Sequence, residues 1–171
     1  MITLRAIEPE DLTLLYIWEN DRSVWRVSNT LAPFSKALLQ QYIMSDPSNI
    51  FVHRQLRMMI DLKGAQRRTV GAVDLFDFDA VHRRAGTGIL IAAEEDRKQG
   101  FASEAVRQII DYSKHVLFLH QLYCNIAASN TVSLHLFEKT GFSISGVKKE
   151  WLKTTDGWED ELFLQLQLDH E

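Results

Sequence analysis

A short basic segment that contains a glycine could bind phosphate. It reads Arg97-Lys98-Gln99-Gly100-Phe101-Ala102 and lies between an apolar run and an amphipathic one. If a helix begins here, its first N–H groups lack internal partners and its start carries a partial positive charge, which suits a pyrophosphate. Gly100 has no Cβ to hold a phosphate away from the backbone. The alternative is a helix that merely follows a glycine in a basic loop, because short glycine motifs recur by chance.

A second group of candidate residues follows at helical spacing. Asn130, Ser133 and Phe137 belong to a stretch that predicts a helix from about Thr131 to Lys139, which ends at Gly141. Asn130 could serve only as the N-cap of that helix. Ser133 precedes Phe137 by about one turn, so the two side chains share a face. The Ser133 hydroxyl could relay a proton, or the residue could simply be small enough to lie beside a ligand.

Hydrophobic periodicity predicts the elements that carry these residues. In the N-terminal third we expect a strand over residues 2–7, a helix from Pro9 and a second helix after Ser35. Phe51 to Ile60 and Val70 to Phe78 are predicted to form a hairpin that turns at Lys63-Gly64.

The rest of the chain alternates strands with helices and ends in a hairpin. Gly88 to Ala92 predicts a short strand, Ala102 to Val116 a long helix, and Leu122 to Ile126 another strand. The closing hairpin turns at Asp156-Gly157, and its last strand places alternate leucines from Leu162 to Leu168 on one face. This order predicts an α/β fold of the α+β kind, with a mixed sheet flanked by helices.

Composition limits the classes of protein that need to be considered. The chain has 171 residues, 46% of them hydrophobic and 25% charged, which predicts a single domain over residues 1–171. No apolar run approaches the roughly 20 residues that span a bilayer, no signal peptide is recognisable, and one cysteine excludes an internal disulfide. We therefore expect a cytoplasmic protein without a membrane partner. A net charge of −4 argues against nucleic acid, and no cluster has metal-ligand spacing.

The two motifs together resemble the cofactor-binding segments of the GNAT family of acetyltransferases. Residues 97–102 are similar to its Arg-x-x-Gly-x-Ala pyrophosphate loop, and Asn130 to Phe142 is similar to its Asn-x-x-Ala-x-x-x-Tyr-x-Lys-x-Gly-Phe segment. Val81-His82-Arg83-Arg84-Ala85 and Leu122-Tyr123 resemble bacterial spermidine N-acetyltransferases and the related ribosomal-protein N-terminal acetyltransferases. The resemblance covers about residues 70–168. It implies a GNAT-like single domain whose mixed sheet is mostly antiparallel.

The resemblance also implies a reaction and a set of site residues. Acetyl-CoA would be the cosubstrate, and its acetyl group would pass by direct attack to the primary amine of a small molecule or a protein N-terminus. An alkyl ammonium has a pKa near roughly 10 and must lose a proton before it attacks. The cofactor-binding residues that the resemblance implies are Ile89, Leu90, Ile91, Arg97, Lys98, Gln99, Gly100, Phe101, Ala102, Asn130, Ser133 and Phe137.

The sequence departs from the family pattern at the expected catalytic centre. Phe137 stands where many relatives have a tyrosine, the presumed acid, and phenylalanine has no proton to donate. Gly86 stands where spermidine acetyltransferases have a glutamate, and residues 31–34 replace their acidic stretch. We therefore expect spermidine to be a poor acceptor. Ser133 is the one candidate catalytic residue, although solvent is the favoured proton source. Asp74 matches a glutamate of those enzymes and is a candidate for binding the amine, although a solvated strand face explains it equally well.

Two other functions compete with the acetyltransferase interpretation of the sequence. A non-catalytic acyl-CoA-binding module would retain the cofactor motifs and need no acid, so Phe137 and Gly86 are compatible with it. A Rossmann-type nucleotide-binding domain would need a Gly-x-Gly-x-x-Gly turn after an early strand, and the chain has none. The sequence leaves a homo-oligomer open and does not identify the acceptor.

Overall fold

A computed structural model of the chain describes residues 1–28, 30–64 and 67–168, except for the side chains of residues 26 and 27. The described residues form one seven-stranded sheet. Its strands are β1 (Ile2–Arg5), β2 (Leu56–Leu62), β3 (Arg68–Asp79), β4 (Arg84–Ile91), β5 (Gln121–Ala127), β6 (Ser143–Lys153) and β7 (Trp158–Gln167).

The strands are arranged in the order β1-β2-β3-β4-β5-β7-β6. Strands β4 and β5 run parallel, and the other five neighbouring pairs are antiparallel. A parallel pair needs a long crossover connection, and the long helix between β4 and β5 supplies it. The predicted mixed, mostly antiparallel sheet is therefore confirmed.

Six helices accompany the sheet in the described residues. They are α1 (Leu12–Glu19), α2 (Arg22–Ser28), α3 (Lys36–Met44), α4 (Ile50–His53), α5 (Phe101–His115) and α6 (Thr131–Lys139), with 3₁₀ turns at Pro9–Asp11 and Glu94–Asp96. The predicted helices after Ser35 and from Thr131 to Lys139 are confirmed, and Ser35 caps α3 by accepting a hydrogen bond from the Leu38 N–H at 3.1 Å.

Hydrophobic clusters cover both faces of the sheet. Val106 and Ile109 of α5 and Phe137 of α6 pack on one side, called here the α5/α6 face. Leu15 of α1 and Leu39 of α3 belong to the cluster on the opposite side, the α1/α3 face. Cluster members on the α1/α3 face come from β2, β3 and β4 and do not extend to β5, β6 or β7.

The predicted strand from Phe51 to Ile60 is wrong at its N-terminal end, where α4 precedes β2. Asn49 caps α4 by accepting a hydrogen bond from the Val52 N–H at 3.3 Å, and Arg54 ends it in the left-handed region at φ 53°. The local cap overrides the strand propensity of the apolar residues. The short helix α2 was not predicted. Within the three described ranges, the structure contains no helix long and apolar enough to cross a membrane.

Candidate active site

The two parallel strands diverge near the centre of the sheet. Their register runs from Arg84 opposite Gln121 to Gly86 opposite Tyr123, and the described residues form no further β4–β5 pairs. Beyond this point β4 continues to Ile91 beside β3. The result is a gap between two strands, called here the β4–β5 slot, in which an extended ligand can take the place of a strand.

Hydrogen bonding shows which backbone groups of β4 face this slot. The Ala92 N–H donates to the Val70 carbonyl at 3.0 Å, which continues beyond Ile91 the regular register that pairs Gly71 with Ile91 and Phe76 with Gly86. Because backbone groups alternate sides along a strand, the N–H and C=O groups of Leu90 face β3, and those of Ile89 and Ile91 face the slot. The side chains of Ile89 and Ile91 still pack against the core of the α5/α6 face. Ile89 and Ile91 therefore pack into the core with their side chains while their backbone groups face the slot.

The basic segment forms an exposed turn at the start of α5. Lys98 and Gly100 both have positive φ, at 61° and 85°, and Gly100 is the N-cap of the 15-residue helix. A Cβ placed on Gly100 would meet no atom within 4 Å, so this glycine is required by its backbone conformation and not by crowding. The first N–H groups of α5 thus lie at an open surface, as a pyrophosphate site requires.

Two arginines fix the ends of this turn. Arg68 of β3 donates two hydrogen bonds of 2.6 Å to the buried carboxylate of Asp96. Arg97 donates from Nε to the Ile91 carbonyl at 3.2 Å and from Nη2 to the Ala92 carbonyl at 3.3 Å. The turn is therefore fastened to the end of the same strand that lines the slot.

The second motif forms the N-terminal half of α6. Asn130 is the helix N-cap, because its Oδ1 accepts a hydrogen bond from the Ser133 N–H at 3.2 Å. Ser133 is half-buried. Phe137 is 3% exposed, and its ring lies edge-on to Phe142 with the centroids 5.1 Å apart. The ring at the family's tyrosine position is thus held in the hydrophobic core by an aromatic neighbour.

A buried hydroxyl that the sequence analysis missed lies where the strands separate. Thr87 is the first β4 residue after the last β4–β5 pair and is 2% exposed. Its Oγ1 has no hydrogen-bond partner among the residues that the structure describes. Strand alternation places its side chain on the α5/α6 face together with those of Ala85 and Ile89. A polar residue within an apolar strand was the only sequence signal of this site.

On the α1/α3 face, an aromatic ring fills the space beside Gly86. A Cβ on Gly86 would lie 2.2 Å from Cε2 of Phe76, the residue opposite it on β3. The Phe76 ring in turn lies edge-on to Tyr123, with the centroids 5.9 Å apart. Tyr123 donates a hydrogen bond from its hydroxyl to Asp77 at 3.4 Å. The pKa of this phenol is raised, mainly by burial and to a smaller extent by the negative charge of Asp77. Phe76 and Tyr123 are aromatic residues at the mouth of the slot.

The structure places Asp74 in an ion-paired cluster. Both of its carboxylate oxygens accept hydrogen bonds from Arg57, at 2.7 and 2.8 Å, and the same guanidinium also pairs with Glu19 of α1. The two carboxylates and one guanidinium leave a formal charge of −1. Binding of an amine by Asp74 stays a prediction, and any amine there would have to share the carboxylate with Arg57.

Neither a nucleophilic cysteine nor a metal cluster stands out in the described residues. Cys124 is buried, and burial raises the pKa of its thiol to about 12, so it remains a neutral packing residue of β5. Within the described ranges, no group of three or more His, Cys, Asp or Glu side chains is arranged to hold a metal ion.

Comparisons with known proteins agree with this geometry. The pattern of the Acetyltransferase (GNAT) domain matches residues 1–143. The spermidine N(1)-acetyltransferase of Vibrio cholerae is 30% identical over 145 residues, covering 85% of this chain and 80% of the relative. The enzyme of the same name from Escherichia coli K12 is 31% identical over 147 residues, covering 85% of this chain and 74% of the relative. This chain therefore belongs to the GNAT acetyltransferase family.

A solved structure extends the match to the fold and the cofactor. The crystal structure of spermidine N-acetyltransferase from Vibrio cholerae in complex with CoA and spermine superposes with a TM-score of 0.83 at 27% identity. The match covers 98% of this chain and 95% of that chain. The protein is accordingly an N-acetyltransferase that uses acetyl-CoA as cosubstrate. A catalytic function is therefore favoured over a non-catalytic acyl-CoA-binding module.

Proposed function

We propose that this N-acetyltransferase transfers acetyl directly from acetyl-CoA to the primary amine of a small acceptor that carries one ammonium group. One observation carries the choice of acceptor: four carboxylates on β3 and β7, the strands that flank β4 and β5, are paired with cations of the chain itself. These pairs are Asp74 with Arg57, Asp79 with Arg84, Asp160 with Lys149 and Glu161 with Lys148. These pairs lower the negative charge that could attract a second or third ammonium; what remains on β3 is the formal charge of −1 of the Asp74–Arg57–Glu19 cluster and the Asp77 carboxylate, which accepts a hydrogen bond from Tyr123.

The proposed cofactor site follows the slot and the turn beside it. The slot-facing N–H and C=O of Ile89 and the N–H of Ile91 would pair with the pantetheine arm, while residues 97–102 would hold the pyrophosphate; the Ile91 carbonyl already accepts a hydrogen bond from Arg97. Leu90 would contribute packing, because its own backbone groups belong to the β3–β4 ladder. Asn130 would contact the cofactor beside its pantetheine with the part of its carboxamide that does not cap α6, and Ser133 and Phe137 would lie along the same helix.

The chemistry needs a neutral amine and a stabilised oxyanion. The ammonium loses one proton, the neutral nitrogen attacks the thioester carbonyl to form the N–C bond, this nitrogen then loses a second proton to solvent, and the C–S bond breaks to release the amide and the thiolate of CoA. A slot-facing N–H of β4 could stabilise the oxyanion of the tetrahedral intermediate. The thiolate has a pKa of about 8.5 by analogy with cysteine, so solvent can protonate it. We propose that Phe137 is tolerated for this reason.

The proposal also covers the domain organisation, the cellular compartment and the oligomeric state. We propose one N-acetyltransferase domain over residues 1–171, in the cytoplasm, where a chain with one buried cysteine needs no oxidising environment. A homo-oligomer is compatible with this proposal.

A screen of acceptors with detection of released thiol tests the proposal. Monoamines such as n-butylamine, spermidine and a short peptide with a free N-terminus would be compared at saturating acetyl-CoA. We expect the monoamine to have the highest kcat/KM. A spermidine kcat/KM above about 10⁴ M⁻¹s⁻¹ that also exceeds the monoamine value would overturn the choice of acceptor. Binding of acetyl-CoA without thiol release for any amine would instead indicate the non-catalytic module.

A further inference from the structure

An ammonium group of the chain itself occupies a cage on the sheet close to the slot. The Nζ atom of Lys148 lies 2.8 Å from Asn125 Oδ1 and 2.9 Å from Glu161 Oε1. It also lies 5.3 Å from the ring centroid of Trp151 and 5.8 Å from that of Phe163. A carboxylate, a carboxamide oxygen and two aromatic faces are the groups that recognise an alkyl ammonium. We call these four surrounding residues the ammonium cage.

The fold builds this cage from three strands. Lys148 lies opposite Glu161 in the β6–β7 register, and Asn125 lies opposite Phe163 in the β5–β7 register. Residues 148 and 151 would point to opposite faces of a regular strand, because side chains alternate. A bulge between Lys148 and Leu152 removes this constraint and brings the Trp151 ring to the ammonium. The cage is thus a product of the strand irregularity and of two cross-strand pairs.

The cage is also continuous with the mouth of the slot. Asn125 comes two residues after Tyr123, the last β5 residue that pairs with β4. The Tyr123 and Phe163 rings lie 5.4 Å apart, so aromatic contacts connect Phe76 at the slot to the cage. The hydrophobic cluster that includes α1 and α3 draws its sheet residues from β2, β3 and β4, so it leaves this part of the sheet out. An acceptor with its reacting amine at the slot could extend along these rings.

We propose that the ammonium cage is a subsite for a non-reacting ammonium of the acceptor, and that Lys148 keeps it filled and thereby selects against polyamines. This inference rests on the proposed function and identifies the residue that limits the acceptor to one ammonium. A tethered ammonium competes with a free one at an effective concentration on the order of millimolar. A polyamine that approaches the filled cage meets a like charge and only one carboxylate, Glu161, for two cations.

Removal of the Lys148 charge tests this inference. Lys148→Met would be compared with the wild type by the ratio of kcat/KM for spermidine to that for n-butylamine. The ratio is expected to rise by about tenfold or more, because a like charge is removed and the cage is vacated. Lys148→Gln, which keeps hydrogen bonding but not charge, provides a second variant if the methionine destabilises the fold, and it should shift the ratio in the same direction.

A matched control is available on the same strand. Lys149 lies 2.9 Å from Asp160 in an ordinary ion pair, and its side chain is 78% exposed. Lys149→Met removes the same charge, so any general effect of net charge on a polycation should be equal in both variants. We expect the Lys149→Met ratio to stay within about threefold of the wild type, since exposed pairs contribute little. Equal rises in both variants, or no rise in Lys148→Met, would overturn the inference.

The cage itself is tested by a second substitution. Adding Glu161→Gln to Lys148→Met should return the ratio to near the wild-type value, because the vacated cage then lacks its carboxylate. A gain that survives in the double variant would show that spermidine binds elsewhere. If the wild type acetylates neither amine, the proposed function fails, and calorimetry with spermidine alone still tests the cage. Lys148→Met should then bind spermidine about tenfold more tightly than the wild type does, and equal affinities would contradict the cage.

Discussion

The ring of Phe76 occupies the volume that any side chain at position 86 would need: a Cβ on Gly86 would lie 2.2 Å from its Cε2 atom and 2.5 Å from its Cζ atom. The ring is itself held edge-on against Tyr123. A glutamate, which spermidine acetyltransferases have at this position, could not be accommodated unless Phe76 moved. The absence of a side chain at position 86 and the placement of the Phe76 ring therefore belong to a single packing arrangement.

This arrangement predicts a strong coupling between the two residues. Gly86→Ala should lower the free energy of unfolding by roughly 1–3 kcal/mol, because it overpacks a filled site. In a Phe76→Ala background the same change should be neutral or slightly stabilising, since alanine restricts the unfolded chain more than glycine does. Urea unfolding of the four proteins in this double-mutant cycle measures the coupling. Additive effects would show that the two residues do not compete for the same space.

The turn before α5 predicts a loss of cofactor affinity on substitution of Gly100. Gly100→Val should weaken acetyl-CoA binding by about tenfold or more, because a side chain would project into the space where the phosphates approach the helix start. Calorimetric titration with acetyl-CoA measures the affinity directly. A thermal shift assay should show a smaller rise in melting temperature than for the wild type, because stabilisation by a ligand follows its affinity.

Backbone strain is separated from this effect by a second substitution at the same position. Gly100 has a φ of 85°, which valine adopts only with strain but asparagine tolerates. Gly100→Asn should therefore unfold at nearly the wild-type urea concentration and still bind acetyl-CoA more weakly. Wild-type affinity in both variants would contradict the assignment of residues 97–102 to the pyrophosphate.

The sequence was informative where local chemistry determines the structure. The α6 boundaries, its Asn130 cap and the start of α5 after Gly100 all depend on residues within one turn, and the structure confirms them. The assignment of a strand to Phe51 failed because the side chain of Asn49 nucleates one helical turn there. Which of the residues 89–91 direct their backbone groups to the slot could not be predicted, because that depends on the register of β4 against β3.

The features that could not be predicted from the sequence depend on contacts between residues distant in sequence. Asp74 was recognised as a candidate, but its pairing with Arg57 and Glu19 joins two strands and a helix. The ammonium cage joins β5, β6 and β7 through a bulge, which no periodicity in the sequence indicates. Site residues that depend on tertiary pairing were therefore beyond prediction from the sequence alone.

The unpartnered hydroxyl of Thr87 predicts that its removal stabilises the ligand-free protein. A buried polar group without a partner costs about 1–3 kcal/mol, and valine has the same shape without the hydroxyl. Thr87→Val should therefore raise the free energy of unfolding of the ligand-free protein by about 1 kcal/mol. The measurement is urea unfolding without acetyl-CoA, with Ser113→Ala as a comparison, because within the described part of the chain Ser113 also carries a buried side-chain oxygen without a partner. A destabilised Thr87→Val protein would imply that the hydroxyl has a partner in solution.

Phe137 raises the question of which group protonates the departing thiolate. Its ring is buried against Phe142, and Ser133 precedes it by one turn of α6. A serine hydroxyl is a very weak acid, whereas a thiolate leaves readily and can take its proton from water. We therefore expect Ser133→Ala to lower kcat by less than about tenfold, equal to a barrier change under roughly 1.4 kcal/mol.

Phe137→Tyr is the matched variant for this question. A tyrosine at this position restores the hydroxyl present in many relatives, and it should raise kcat if that hydroxyl reaches the sulfur of the cofactor. If it does not, the added hydroxyl is buried without a partner and the protein is destabilised instead. Both variants must be assayed with an acceptor already shown to be acetylated, at saturating acetyl-CoA, so that cofactor affinity does not affect the rates. General acid catalysis contributes about 10²–10⁴-fold. A loss of about a hundredfold or more in Ser133→Ala, with unchanged acetyl-CoA affinity, would therefore establish the serine relay and exclude solvent as the main proton source.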